Sequence, residues 1–259
     1  MTNDGSESRV TRDIPRAQDQ LFREPGGARK KYGALIVGKS GLGALLKYEF
    51  VVLLSQNVPG ALGLALRKLC YPWLLGSCGR NVVFGQNVVL RHPHKIHIGD
   101  NVVVDDNCLL DAKGTTNRGI QIGSGVFIGR NTILSCKNGD IEIEHGANIG
   151  FNCELFSASR VRVGSDTLIA AYAYLVGGDH DFADHARPVL HQRRRSAGID
   201  VGVGVWLGAG AKILDGVTIG DRGIVGAGAV VRDAVPAGAT AVGIPARLIA
   251  RAPEEGLEA

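Results

Sequence analysis

The chain has 259 residues, 45% of them hydrophobic and 21% charged, which excludes an intrinsically disordered protein. A net charge of +4, with no basic stripe interleaved with stacking aromatics, argues against a nucleic-acid partner. With 37 glycines and only 5% aromatics, the core must be built from aliphatic side chains and close backbone turns, as in a repetitive β architecture. The cysteines, Cys70, Cys78, Cys108, Cys136 and Cys153, form no CxxC pair and are odd in number. That pattern argues against a disulfide framework or a zinc ribbon and suits a reducing cytoplasm.

Residues 1–33 are polar, rich in Arg, Asp and Glu, and lack the charged-then-apolar run of a signal peptide. They are expected to form a disordered arm. Residues 34–77 carry helical apolar periodicity (Leu42, Leu45, Leu46, Phe50, Leu53, Leu54, then Leu62, Leu66, Leu69), broken at Pro59 and Gly60. Two helices follow, each too short to span a bilayer. Two roles are open for them: a cap over the first edge of the β domain, or a membrane-surface anchor over 42–75.

From Cys78 onward an aliphatic residue recurs every six positions, in triplets: Ile98, Val104, Leu110; Ile122, Ile128, Leu134; Ile143, Ile149, Leu155; Val163, Ile169, Leu175; Val201, Leu207, Ile213; Ile219, Val225, Val231. A period of six grouped in threes is the signature of a parallel β-helix, with three short strands making one triangular coil. About seven coils are expected over residues 78–236, followed by a C-terminal tail over 237–259. Insertions fall only after the third face, the longest being the loop 176–200, which projects from one corner and is the natural place for function.

The residue after each aliphatic sorts by face. It is glycine on the first face (Gly79, Gly99, Gly123, Gly164, Gly202, Gly220) and mostly glycine on the second (Gly85, Gly129, Gly150, Gly208, Gly226). On the third face stand Arg91, Asp111, Ser135, Phe156, Val176, Leu214 and Arg232. The glycines are expected at corners whose dihedrals are costly for residues with a Cβ. Small residues four places after each aliphatic, among them Cys108, Thr132, Ala147 and Cys153, are expected to fill a narrow interior.

On these repeats and on its C-terminal third, the chain resembles the hexapeptide-repeat acyltransferases, the family of galactoside, maltose and nodulation-factor O-acetyltransferases, over roughly residues 82–249. The stretches Val205-Trp206-Leu207-Gly208-Ala209-Gly210, Asp215-Gly216-Val217-Thr218-Ile219-Gly220, Gly226-Ala227-Gly228-Ala229-Val230-Val231 and Gly243-Ile244-Pro245-Ala246-Arg247 carry the likeness. The resemblance implies a left-handed parallel β-helix, a hand that the ordinary crossover rule would not supply. It also implies a homotrimer, acetyl-CoA as co-substrate in the groove between two prisms, and no metal.

The segment from Val161 to His180 matches the family's strand-and-loop spacing and places the family's general base on His180. The flanking Gly-Gly-Asp-His-Asp-Phe differs from the sugar acetyltransferases' His-Pro, and Gly150 stands where galactoside acetyltransferases carry a substrate-binding Asn. The acceptor is thereby left open within the class of sugars and glycans. A lipid-linked intermediate of cell-surface polysaccharide or lipopolysaccharide assembly, met at the inner face of the membrane, suits the apolar helices. The same resemblance carries the amides of Ala209 and Ala227 over as contacts to the pantetheine arm, and Arg247, with Arg251 as a helper, as contacts to the phosphate end of CoA. Trp206 either walls that groove or packs between subunits.

Acetyl transfer from a thioester to an alcohol needs a base, and an imidazole suits that role near neutral pH. Of the loop histidines His180, His185 and His191, only His180 adjoins a regular strand that can fix its position. Asp179 and Asp181 flank it, and Asp181 is a candidate to orient the ring. Arg193, Arg194 and Arg195 meet an anionic lipid-linked or nucleotide-linked sugar, or are a solvated charge run. Two other classes share this fold: a zinc enzyme like the gamma-class carbonic anhydrases, for which the His180/His185 spacing is a superficial fit, and a non-catalytic trimeric module. His92, His94 and His97 do not have the spacing of a standard isolated metal site.

Overall fold

A computed structural model describes residues 27–249; the greater part of the expected N-terminal arm and the end of the tail, with Arg251, lie outside the described residues. The chain winds as a left-handed parallel β-helix whose three sheets are the three faces of a prism. The first face runs in spatial order Ser77–Cys78, Ile96–Ile98, Ile120–Ile122, Asp140–Ile143, Arg160–Val163, Ile199–Val201 and Thr218–Ile219. The second begins at Val83–Phe84 and the third at Val89–Arg91, each strand pairing in parallel with its counterpart one coil on. Seven coils are complete. Val235, bridged to Ile219, and Thr240–Val242, paired with Ile224–Val225, begin an eighth, so the solenoid runs slightly beyond the expected seven.

The sixfold aliphatics all point inward, and none from Phe84 to Val231 is more than 4% exposed. Stacking these branched side chains coil upon coil buries one continuous aliphatic column, which supplies the main stabilisation of a chain poor in aromatics. Cys108, Thr132, Ala147, Cys153, Ala173, Ala211 and Ala229 are buried between the large residues. Their small side chains let the chain bend inward at the corner. The Cys108 and Cys153 thiols each donate to a carbonyl of the next coil, and burial pushes Cys108 up to about 12, where it is inert as a nucleophile.

The glycines that follow the inward aliphatics require a correction. They have ordinary backbone dihedrals; the left-handed conformation falls two residues later, at Asn81, Asn101, Gly125, Asp166 and Gly204 among others. What excludes a side chain is the coil above. A Cβ on Gly164 would lie 2.4 Å from the carbonyl oxygen of Gly202, and one on Gly208 2.5 Å from the amide nitrogen of Ala227. Close approach of stacked corners, not torsion, selects glycine there.

Three helices precede the prism: α1 (Ala28–Tyr32), α2 (Leu42–Ser55) and α3 (Gly60–Cys70). Residues 28–33 are thus helical where composition alone suggests an arm. α2 and α3 cover the first coil. Tyr48 and Tyr71 donate their hydroxyls to the carbonyls of Leu90 and Val88, both at 2.8 Å. The buried Arg67 guanidinium donates to the carbonyls of Phe84, Ser55 and Val58. These contacts satisfy carbonyls near the end of the solenoid that would otherwise be left without partners. At the other end Arg247–Ile249 folds back antiparallel on Thr240–Val242 and closes the edge of the second sheet.

Candidate active site

His180 stands where the chain leaves the third face. After the strand Tyr174–Gly177, Gly177 and Gly178 let the backbone pass tightly over its neighbours; a Cβ on Gly178 would lie 2.8 Å from that of Ala158. Asp179–His180 then pairs antiparallel with Arg194–Arg195, His180 opposite Arg194. The return of this hairpin is anchored by the Asp215 carboxylate, which accepts hydrogen bonds from the Ala197 and Gly198 amides and the Ser196 hydroxyl. His180 therefore sits on the ordered base of the loop. His185 and His191 lie further out, both exposed.

The hairpin closes one side of a cleft of about 290 Å³ lined by Lys137, Phe156, Tyr174, Val176, His180 and Arg194. The His180 Nδ1 is buried and has no hydrogen-bond partner. Lys137 and Tyr174 carried no signal in the sequence beyond their outward register beside the aliphatics. Phe156 and Val176 did stand out, as third-face residues where glycine is missing, and Phe156 stacks in register between Ser135 and Val176 to form the cleft floor.

Asp181 is not spent on the imidazole. Its Oδ1 lies 2.5 Å from Nε of Arg195, and its amide donates to the carbonyl of Arg193 at 2.8 Å. The Asp179 carboxylate turns back on the His180 amide at 2.7 Å. Both acids brace the hairpin.

Ala209 and Ala227 sit at equivalent corners between the second and third faces, one coil apart, with the Gly228 amide donating to the Ala209 carbonyl at 2.8 Å. Their own amides have no acceptor among the described residues. One coil further, Arg247 pairs with Val242 and is exposed, so the three residues follow one edge of the prism. That edge, with its free donors and a terminal guanidinium, fits an extended chain ending in phosphates. Trp206, 51% exposed, stands beside it on the second face. His180 leaves from the opposite corner of the third face, six residues and on the order of 15–20 Å away. One prism therefore does not bring His180 together with Ala209, Ala227 and Arg247.

The N-terminal histidines serve the cap. His92 Nε2 bonds the carbonyl of Ala34 at 2.8 Å, His94 stacks on His92, and His97 Nδ1 meets the Ser77 hydroxyl at 2.9 Å. Among the described residues no group of three or more side chains is gathered to hold a metal ion.

A family profile described as the hexapeptide repeat of succinyl-transferase matches residues 77–112 and 198–232. Nodulation protein L of Rhizobium meliloti is 37% identical over 129 residues, covering 49% of this chain and 68% of that protein. The chain belongs to the hexapeptide-repeat acyltransferase family. A putative lipopolysaccharide biosynthesis O-acetyl transferase of Escherichia coli is 29% identical over 154 residues, covering 55% of this hexapeptide-repeat chain and 74% of the relative. A probable acetyltransferase of Mycobacterium tuberculosis is 28% identical over 130 residues, and the chain spans only 43% of that relative's length.

Proposed function

We propose that this hexapeptide-repeat protein is an acetyl-CoA-dependent O-acetyltransferase acting on a sugar hydroxyl in the assembly of a cell-surface polysaccharide or lipopolysaccharide. The observation that carries the reading is the placement of His180 in the lining of the cleft, with Nδ1 buried and unpartnered. His180 takes the proton of the acceptor hydroxyl as that oxygen bonds to the thioester carbonyl carbon, and returns it to sulfur as the carbon–sulfur bond breaks. Ala209 and Ala227 offer their amides to the pantetheine arm, Arg247 its guanidinium to the phosphates, and Trp206 walls the same edge.

A homotrimer completes the site. His180 and the Ala209–Arg247 edge occupy opposite corners of one prism, so a second copy must bring its edge to the first copy's loop. The second face supports such packing: Val83, Phe127, Leu168 and Trp206 point outward along it, 41%, 37%, 45% and 51% exposed. Broken only by the exposed Asn148 between Phe127 and Leu168, this largely apolar row is more than a lone prism leaves to water without reason.

The helical segment adds peripheral membrane contact at the cytoplasmic face. No helix among the described residues is long and apolar enough to cross a bilayer. Yet Leu46, Phe50, Leu53, Leu62, Leu69 and Trp73 are all more than half exposed. Residues 27–75 hold seven basic side chains and one acidic one, Glu49, which accepts a hydrogen bond from Tyr32. Of the seven only Arg67 is buried. Apolar side chains beside uncompensated lysines suit an anionic lipid surface.

Release of free CoA from acetyl-CoA, scanned across a panel of sugar acceptors, tests the reaction. The wild type is expected to turn over with at least one sugar, and His180→Ala to lose about 100-fold or more of that rate with acetyl-CoA binding kept. Equal rates in the two proteins would remove His180 from the chemistry.

A further inference from the structure

The cleft beside His180 holds more positive charge than its own carboxylates neutralise. Lys137 is half-buried at its rim, its Nζ 5.8 Å from the centre of the Phe156 ring. Arg194 lines the opposite wall, directly across the hairpin from His180. Neither Lys137 nor Arg194 has a carboxylate partner among the described residues. Of the acids nearby, Asp181 pairs with Arg195 and Asp111 with Arg91 and Lys113 at 3.6 Å each; Asp179, the one carboxylate in the lining, accepts from the His180 amide and leaves Lys137, Arg194 and Arg195 in excess. Burial, reinforced by the charge of Lys113, holds the pKa of Lys137 below the usual lysine value; Asp111 opposes the shift, while Arg194 and Arg91 add to it. Two half-buried, unpaired cations facing one small cleft are costly to a folded chain unless an anion joins them.

The remaining lining is of a different kind. Phe156, Tyr174 and Val176 offer an apolar wall, and at about 290 Å³ the space lies near the lower end of ligand-sized pockets. A sugar ring presents C–H bonds to an aromatic wall and hydroxyls to its edge, and a phosphate ester on that ring extends two acceptor-rich oxygens to paired cations. We infer that this cleft is the acceptor subsite, and that it selects a phosphorylated sugar, with Lys137 and Arg194 gripping the phosphate, Phe156 and Tyr174 supporting the ring, and His180 addressing one hydroxyl. The inference rests on the acetyl-transfer reading for the role of His180, whereas recognition of phosphate by the cleft does not depend on it. The phosphate belongs either to a nucleotide-linked or to a lipid-linked sugar.

Equilibrium binding of glucose, glucose 1-phosphate and UDP-glucose to the full-length protein, its Lys137→Gln and Arg194→Gln variants and the conservative Lys137→Arg tests it. The wild type should bind at least one phosphorylated probe 10-fold or more tighter than glucose. Each Gln variant should lose most of that preference, Lys137→Arg should retain it, all should keep wild-type acetyl-CoA affinity, and neither Gln variant should melt below the ligand-free wild type. Tighter binding of UDP-glucose than of glucose 1-phosphate marks a diphosphate, and inhibition by a polyprenyl phosphate in detergent marks the lipid-linked source. Equal binding of glucose and both phosphorylated probes, or a phosphate preference that survives in both Gln variants, overturns the subsite. Phosphate preference without any acetyl transfer would instead leave the subsite standing and overturn the reaction.

Discussion

Asp181 and Arg195 meet across the base of the loop, with 2.5 Å between Oδ1 and Nε, and thereby hold the strand pair that carries His180. The pair is partly exposed, so it adds at most about 1 kcal/mol to stability. Its effect is expected in the rate. Asp181→Asn and Arg195→Gln should each lower turnover several-fold, and the double variant should fall little further, because both remove one contact. Steady-state rates of CoA release, with acetyl-CoA affinity measured alongside, check this. A loss in Asp181→Asn that matches His180→Ala, beside a harmless Arg195→Gln, would return Asp181 to the role of orienting the imidazole.

Two glycines separate crowding from torsion. Gly164→Ala would drive a Cβ against the backbone of Gly202, with no flexible atom to move aside, and should destabilise by about 3 kcal/mol. Gly228→Ala meets nothing within 4 Å but sits at a φ of +67°, and should cost about 1–2 kcal/mol. Denaturant melts of the two variants give the order, and a reversed order would restore torsion as the reason for the corner glycines.

Acid should loosen the helical cap before it affects the coils. Burial, then the charges of Lys39, His92 and Lys95, holds His94 down at about 4, and burial lowers His92 as well. Between an ordinary imidazole value of roughly 6.5 and about 4, the unfolded chain binds more protons than the folded one. This contribution to stability is complete above that window and lost as pH falls through it. Melting temperature should therefore drop from pH 7.5 to pH 4.5, and His94→Asn should flatten the slope. An unchanged slope in that variant would assign the acid sensitivity to other groups.

Membrane contact predicts that the protein floats with vesicles rich in anionic lipid and much less with neutral ones, and that salt weakens the association. Leu53, 87% exposed on α2, makes the cleanest probe. Leu53→Glu should reduce co-flotation about 10-fold without moving the melting temperature, since an exposed side chain adds little to folding. Wild-type protein that ignores anionic vesicles would leave α2 and α3 as a cover for the first coil alone.

The coil architecture was legible in the sequence because a period of six places one aliphatic on each inner face, and Ile128, Ile149, Ile169 and Leu207 could stack in no other way. The loop that carries His180 was legible too, as the longest break in that period. The reason for the glycines was not: a Cβ on Gly164 is excluded by Gly202, 38 residues later, and such crowding exists only once the coils are stacked. Lys137, Phe156, Tyr174 and Arg194 share a cleft for the same reason, since parallel registry brings together residues from successive coils that no local pattern connects. Asp181 turned to Arg195 because the hairpin set the guanidinium beside it. Local periodicity, which needs only hydrophobic burial, determined the solenoid; the partners of each polar side chain were decided by stacking, because they depend on contacts made between coils.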